Sequence, residues 1–169
     1  NLLAASAPEP VVKTEPPGEK SKIVQIFKGV GHLNVAFIHQ YTDLTSHWTH
    51  AHEAGRKHME NALGKAVTTR VYQNANTPEL TEAFIDQAVE EGAEVIFTTA
   101  PELIGPSVKG SVKYPKVRFF NCSVHQQYAS VRTYYSRIYE GKFITGAIAG
   151  AMSKDDRIGY IGSYPIYGV

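Results

Sequence analysis

From residue 33 onward, short apolar runs alternate with stretches in which apolar residues recur every three or four positions, and these two periods predict strands and helices in turn. Residues 33–39 (Leu-Asn-Val-Ala-Phe-Ile-His) form the first predicted strand. Ser46 then caps a helix on which Trp48, Ala51, Gly55, Met59 and Ala62 make one stripe. A second strand follows over residues 66–73. The second helix is the most sharply punctuated: Thr77 is its cap, Pro78 occupies the first turn where a missing N–H costs nothing, and Gly92 ends it. Its expected buried stripe is Leu80, Phe84, Ile85, Ala88 and Val89. A strand at 94–98, a helix at 102–112, a strand at 117–122, an extended piece at 131–134, a helix at 136–152 and a fifth strand at 158–163 complete the pattern. The last helix carries Gly141, Gly146 and Gly150; a helix-interior glycine costs roughly 1 kcal/mol against alanine, so three of them predict close packing on the sheet.

Strand and helix in alternation predict an α/β domain whose parallel sheet is covered on both faces. With right-handed crossovers, five strands give a doubly wound sheet in flavodoxin-like order 2-1-3-4-5. Residues 1–32 read differently. Positions 5–22 hold four of the nine prolines and show no apolar period, which predicts a linker and lead-in before a domain at 33–169. Residues 23–27 suit either a strand or a docking segment. The linker implies a domain upstream, and the ending directly after the fifth strand implies a second lobe that this chain lacks.

Composition narrows the classes. Hydrophobic residues at 43% and charged residues at 20% are ordinary for a soluble globular domain. A net charge of +1 gives no field to gather phosphate polymers, so direct nucleic-acid binding is not expected. Cys122, the one cysteine, cannot form an intrachain disulfide. The sequence has neither a run of ~20 apolar residues nor a signal-like start, which predicts no membrane insertion and a cytoplasmic setting.

In such a sheet the ligand crevice opens at the carboxyl ends of strands one and three, which singles out loops 40–49 and 98–103 and, further out, 121–128. The first offers Asp43, Ser46, Trp48 and Thr49, a carboxylate and hydroxyls around the only tryptophan. These can stack a ring and hydrogen-bond a polar edge or sugar. On pattern alone Trp48 reads as a core residue of an amphipathic helix. Thr99 and Ser123 stand at the ends of the third and fourth strands.

Competing chemistries lack their residues. His47, His50, His52 and His58 share the first helix, but no cysteine pair or carboxylate spacing accompanies them, so no metal and no cofactor are expected. No Gly-x-Ser-x-Gly elbow is present, and Gly29-Val30-Gly31 precedes the first strand instead of following it. Thr98 and Thr99 occupy the place where a phosphate-accepting regulator needs an acid. The Arg132-Thr133-Tyr134-Tyr135-Ser136-Arg137 cluster is explained by a strand entering a packed helix.

Residues 48–57 (Trp-Thr-His-Ala-His-Glu-Ala-Gly-Arg-Lys) resemble the Trp-Thr-x-x-His-(Asp/Glu)-x-Gly-Arg motif of the basic membrane protein (BMP) family of ABC-transporter substrate-binding proteins. Matches continue through 95–99, 133–140, 146–150, 158–161 and 164–166 in family order. The resemblance implies one lobe of a type I periplasmic-binding-protein-like fold, with two lobes closing on a purine nucleoside or base. It implies that Trp48 stacks on the base, that the loop around Asp43 together with Thr49 gives polar contacts, and that Thr98 and Thr99 face the cleft; Ser46 and Ser123 are read as further hydrogen-bonding residues, and no catalysed reaction is expected. Family members carry Gly-Asp-x-Gly before the aromatic, whereas Tyr41-Thr42-Asp43-Leu44-Thr45-Ser46-His47 stands here, so the loop differs. Asn121-Cys122-Ser123 and the Tyr-Pro-Ile-Tyr-Gly ending are similar to a branch fused behind a ParB-like or other N-terminal domain. That branch implies an intracellular sensor; its rivals are an extracytoplasmic lipoprotein for nucleoside uptake and a nucleoside-acting enzyme.

Overall fold

A computed structural model describes residues 31–123 and 128–162. The proline-rich segment, the 23–27 run, residues 124–127 and the 163–169 ending, with the resemblance carried by 164–166, lie outside these. Within them the chain runs β1 (Leu33–Ile38), α1 (His47–Leu63), β2 (Val67–Tyr72), α2 (Pro78–Glu90), β3 (Val95–Thr98), α3 (Ile104–Lys113), β4 (Arg118–Cys122), β5 (Val131–Tyr134) and α4 (Ile138–Met152). All strands are parallel in the order β2-β1-β3-β4-β5, the predicted one.

The helix starts follow the predicted chemistry. Ser46 accepts a hydrogen bond from the Thr49 N–H, and Thr77 accepts one from the Leu80 N–H with Pro78 in the first turn. Gly92 takes φ +87°, a left-handed conformation that glycine adopts without a Cβ penalty, just past the end of α2.

Strand alternation sorts the core into two layers. Ala36, Ile38, Ile96, Phe119 and Val131 point to one face, where Ile85 and Ala88 of α2 and Leu103 before α3 cover them. Close approach of α3 depends on Gly110: a Cβ there would meet Ile85 Cγ2 at 3.0 Å and the Phe119 ring at 3.2 Å. Val35, Phe37, Val67 and Val95 point the other way, toward Met59 and Leu63 of α1.

Four expectations need correction. The fifth strand is Val131–Tyr134; residues 158–162, where it was predicted, form no strand. Leu80 is 42% exposed, and Thr81 takes the inward place on α2 because its hydroxyl is satisfied by the Thr77 carbonyl. On α1 the inward residues are Thr49 and Glu53, while Ala51, Gly55 and Ala62 of the predicted stripe are exposed. Finally, α4 does not pack on the sheet. None of its residues is buried, and a Cβ at Gly141 or Gly146 would meet nothing within 4 Å.

Candidate functional site

Where α1 begins, the sheet is left open beside it. A groove of about 710 Å³ runs along the helix, walled by Trp48, His52, Gly55 and Met59 on one side and floored by Phe37, Phe97, Cys122 and Tyr134. Register explains the floor: Phe37, Phe97 and Phe120 are neighbours on β1, β3 and β4. Their rings stack in a row, each pair 4.9 Å apart. Tyr134 of β5 meets Phe97 edge-on at 5.9 Å. The predicted α1 stripe is therefore a real periodicity, but Trp48, Ala51, Gly55 and Met59 line this groove instead of a sealed core.

The end of the groove nearest the strands' carboxyl ends is aromatic. Trp48 is partly buried, with His52 at 5.2 Å and Tyr135 at 6.0 Å between ring centroids. Its orientation is set from behind, because the indole N–H donates to the Thr99 carbonyl at 2.6 Å. The ring is thus fixed at the tip of β3 with its apolar surface toward the groove.

The other predicted residues divide. Ser46 is engaged as the α1 cap and Thr49 is 2% exposed beneath the helix start. Thr99 is 1% exposed, with its hydroxyl turned to His39 and the Ile38 carbonyl. Asp43 lies apart from the groove wall and accepts from the Gln73 side chain at 3.4 Å. Ser123 is buried at the end of β4, its backbone N–H bonded to the Tyr134 carbonyl, and its hydroxyl has no partner among the described residues. Such an unsatisfied buried hydroxyl is costly unless something bonds it.

Sequence reading missed the polar chain beneath Trp48. His39, fully buried at the end of β1, lies with Nδ1 2.8 Å from Thr99 Oγ1 and Nε2 2.9 Å from Glu53 Oε1. Glu53 also accepts from Arg56 Nε and Nη2, and Arg56 continues to Thr69 Oγ1 at 2.7 Å and Glu60 at 3.0 Å. Burial lowers the His39 pKa against the opposing pull of Glu53, favouring a neutral ring that donates from Nε2 to Glu53 and accepts from Thr99 at Nδ1. Burial alone would raise the Glu53 carboxyl, but hydrogen bonds from Arg56 and His39 outweigh it and hold the group below its usual range. The signal lay in the His-Glu-x-Gly-Arg stretch, whose Glu53 and Arg56 are one helical turn apart.

This chain of groups is ordered like a hydrolytic relay, with Thr99 in the nucleophile's place. Thr99 is sealed, so no nucleophile reaches solvent through it. Cys122 is also buried, and burial pushes its thiol up to about 11, which leaves little thiolate at neutral pH. Among the described residues no group of three His, Cys, Asp or Glu side chains converges on a point that would hold a metal ion. No helix among them is long and apolar enough to cross a membrane.

Comparison with known proteins gives a family and a fold. The family model for PnrA-like ABC transporter substrate-binding proteins (Bmp) matches residues 34–169. A purine-binding protein of Brucella abortus (strain 2308) is 34% identical over 134 residues, which is 79% of this chain and 38% of that protein. The chain thus spans less than two fifths of that relative's length. Among solved structures, a solute-binding protein of an Aeropyrum pernix K1 ABC transporter system superposes with a TM-score of 0.56 at 20% identity, covering 70% of this chain and 32% of the other. One from Conexibacter woesei gives 0.52 at 17%, covering 70% and 40%. At these identities the structural likeness is one of fold.

Proposed function

We propose that this chain, which belongs to the Bmp family of PnrA-like ABC transporter substrate-binding proteins, holds a planar purine-type ligand, a base or nucleoside, against Trp48. The observation that carries this reading is the indole ring itself, pinned through its N–H to the Thr99 carbonyl and flanked by His52 and Tyr135 at the mouth of an apolar groove. An aromatic face held in place stacks a flat heterocycle without further ordering of the side chain. Ser123, whose hydroxyl has no partner among the described residues, supplies a polar contact, and Asp43, which lies apart from the groove wall, reaches the ligand only from the loop before α1. Ser46, Thr49 and Thr99 act from beneath, by fixing the start of α1 and the tip of β3. The purine-binding relative supports the ligand class.

A second lobe, supplied by the length this chain does not span, closes over the exposed side of the ligand. Ligand then favours the closed pair by its extra affinity for that state. The protein binds and releases its ligand unchanged. Delivery to a transporter is the favoured setting. The intracellular alternative requires a fused upstream domain, and reading the gene upstream of the proline-rich segment distinguishes the two.

Calorimetry of the full-length protein against adenine, adenosine, guanosine and inosine tests the assignment. At least one binds tighter than ~1 mM, or about −4 kcal/mol, and the purine reading is dropped if none does. Trp48→Ala weakens that binding by roughly 1 to 3 kcal/mol, the range for base stacking on aromatic side chains. Unchanged affinity would make Trp48 a packing residue only.

A further inference from the structure

Glu53 and His39 sit where neither ligand contact nor hydrophobic packing accounts for them. Both are buried, a carboxylate and an imidazole beneath the first turns of α1, and a charge in such a place is retained only when its partners are well arranged. Their partners form one continuous line. Thr69 on β2 bonds Arg56, Arg56 grips Glu53 through Nε and Nη2, and Glu53 accepts from His39 Nε2. His39 Nδ1 meets the Thr99 hydroxyl, and the Thr99 carbonyl takes the Trp48 indole N–H. Four elements, β2, α1, β1 and the tip of β3, are tied together, and the line ends on the one ring assigned to the ligand.

We infer that His39 and Glu53 are positioning residues for Trp48: through the Thr99 side chain they hold the Thr99 carbonyl that orients the indole, and so they set ligand affinity without touching ligand. The inference rests on the reading of Trp48 as the stacking platform. Geometry gives the reason for a relay instead of direct contact. Thr99 leaves β3 at residue 98, where ladder pairing stops, so its peptide is held by its own bond to Ile38 and by its side chain. His39 stands at the matching end of β1 and gives that side chain a rigid anchor. Glu53 holds the ring of His39 in one orientation, as a second-layer carboxylate does for a metal-bound histidine.

Because Trp48 is the only tryptophan in the chain, its indole N–H gives a single resonance in a nitrogen-edited spectrum of the 169-residue protein. Thr99→Val keeps the shape and the carbonyl but removes the hydroxyl link to His39; Glu53→Gln keeps the shape and removes the charge. Both shift the indole signal and speed its exchange with solvent by about fivefold, the scale of one net hydrogen bond. Thr81→Val, an equally buried hydroxyl loss on α2, leaves the signal in place. In the full-length protein Glu53→Gln lowers purine affinity by a similar factor, and much less in a Trp48→Phe background where no indole N–H remains to be oriented. If Thr99→Val and Glu53→Gln lower thermal stability yet leave the indole resonance at its wild-type position and exchange rate, the pair is structural only and the proposal falls. Should one of the two fail to fold, the other decides by the same criterion. Absence of purine binding by the wild type would remove the ligand reading alone, since the resonance still reports whether His39 and Glu53 orient the ring.

Discussion

The two faces of the sheet are built from the same strands yet finished differently. On the α2–α3 side, Phe119 and Ile96 are sealed under Ile85, Ala88 and Leu103, and Gly110 brings α3 close enough that a methyl group would crowd them. On the α1 side, the Phe37–Phe97–Phe120 row is covered over only part of its length, and the rest floors the groove. α4 meanwhile keeps Phe143 and Met152 about three quarters exposed and buries nothing. One face stores stability in close packing; the other keeps apolar surface and an oriented ring accessible. Close packing and accessible apolar surface are kept apart in this way, since well-packed cores do not yield without loss.

The contrast is broken most severely by emptying each face in turn. Phe119→Ala destabilises by about 3 to 5 kcal/mol, the usual range for a sealed aromatic. Phe97→Ala, on the open row, costs less than about 2 kcal/mol because part of its surface is already exposed. Urea unfolding midpoints of the two variants measure the difference, and equal losses would show that the groove is closed in solution.

Overfilling gives the next largest effect. Gly110→Val has no room between Ile85 and Phe119 and costs about 1 to 3 kcal/mol. Gly55→Ala, in the middle of α1 where a Cβ would meet nothing within 4 Å, stabilises by about 0.5 to 1 kcal/mol. Thermal melts of the pair should therefore move in opposite directions.

Acid acts on the open side. His39 has a folded-state pKa below its ordinary value near 6.5, so the unfolded chain binds more protons as pH falls through that value and stability drops. Glu53, held below its ordinary value near 4.5, extends the loss at lower pH. The unfolding midpoint should be flat between about pH 7 and 8, decline below about 6.5, and lose the first part of that decline in His39→Gln. A midpoint that rises on acidification would contradict the burial of a neutral His39.

Much of this was legible from pattern. Period-two and period-3.6 runs gave β1 to β4 and the helices near their observed bounds, and Thr77, Pro78 and Gly92 marked α2 because caps act locally. Val131–Tyr134 was read as extended but not as the fifth strand, since four residues cannot display an alternation that outweighs a longer apolar run at 158–163. Leu80 was misread because Thr81, its hydroxyl satisfied by the Thr77 carbonyl, takes the inward place. The α1 stripe was correct in period, but period alone does not say whether a stripe meets a sheet or a groove. The His39–Glu53 link joins groups whose partnership exists only once β1 and α1 are packed. The single tryptophan was legible as a candidate, while its anchor at Thr99 was visible only as a neighbour in space.

Trp48 emission reports on whether the ring presents the free stacking face that we propose for it. Titrating the 169-residue chain with adenosine, guanosine or inosine should give saturable quenching of Trp48 fluorescence in the millimolar range, about −4 kcal/mol, with no response to glucose at equal concentration. Emission that stays unchanged by all three nucleosides, or that saturates with glucose instead, would contradict it.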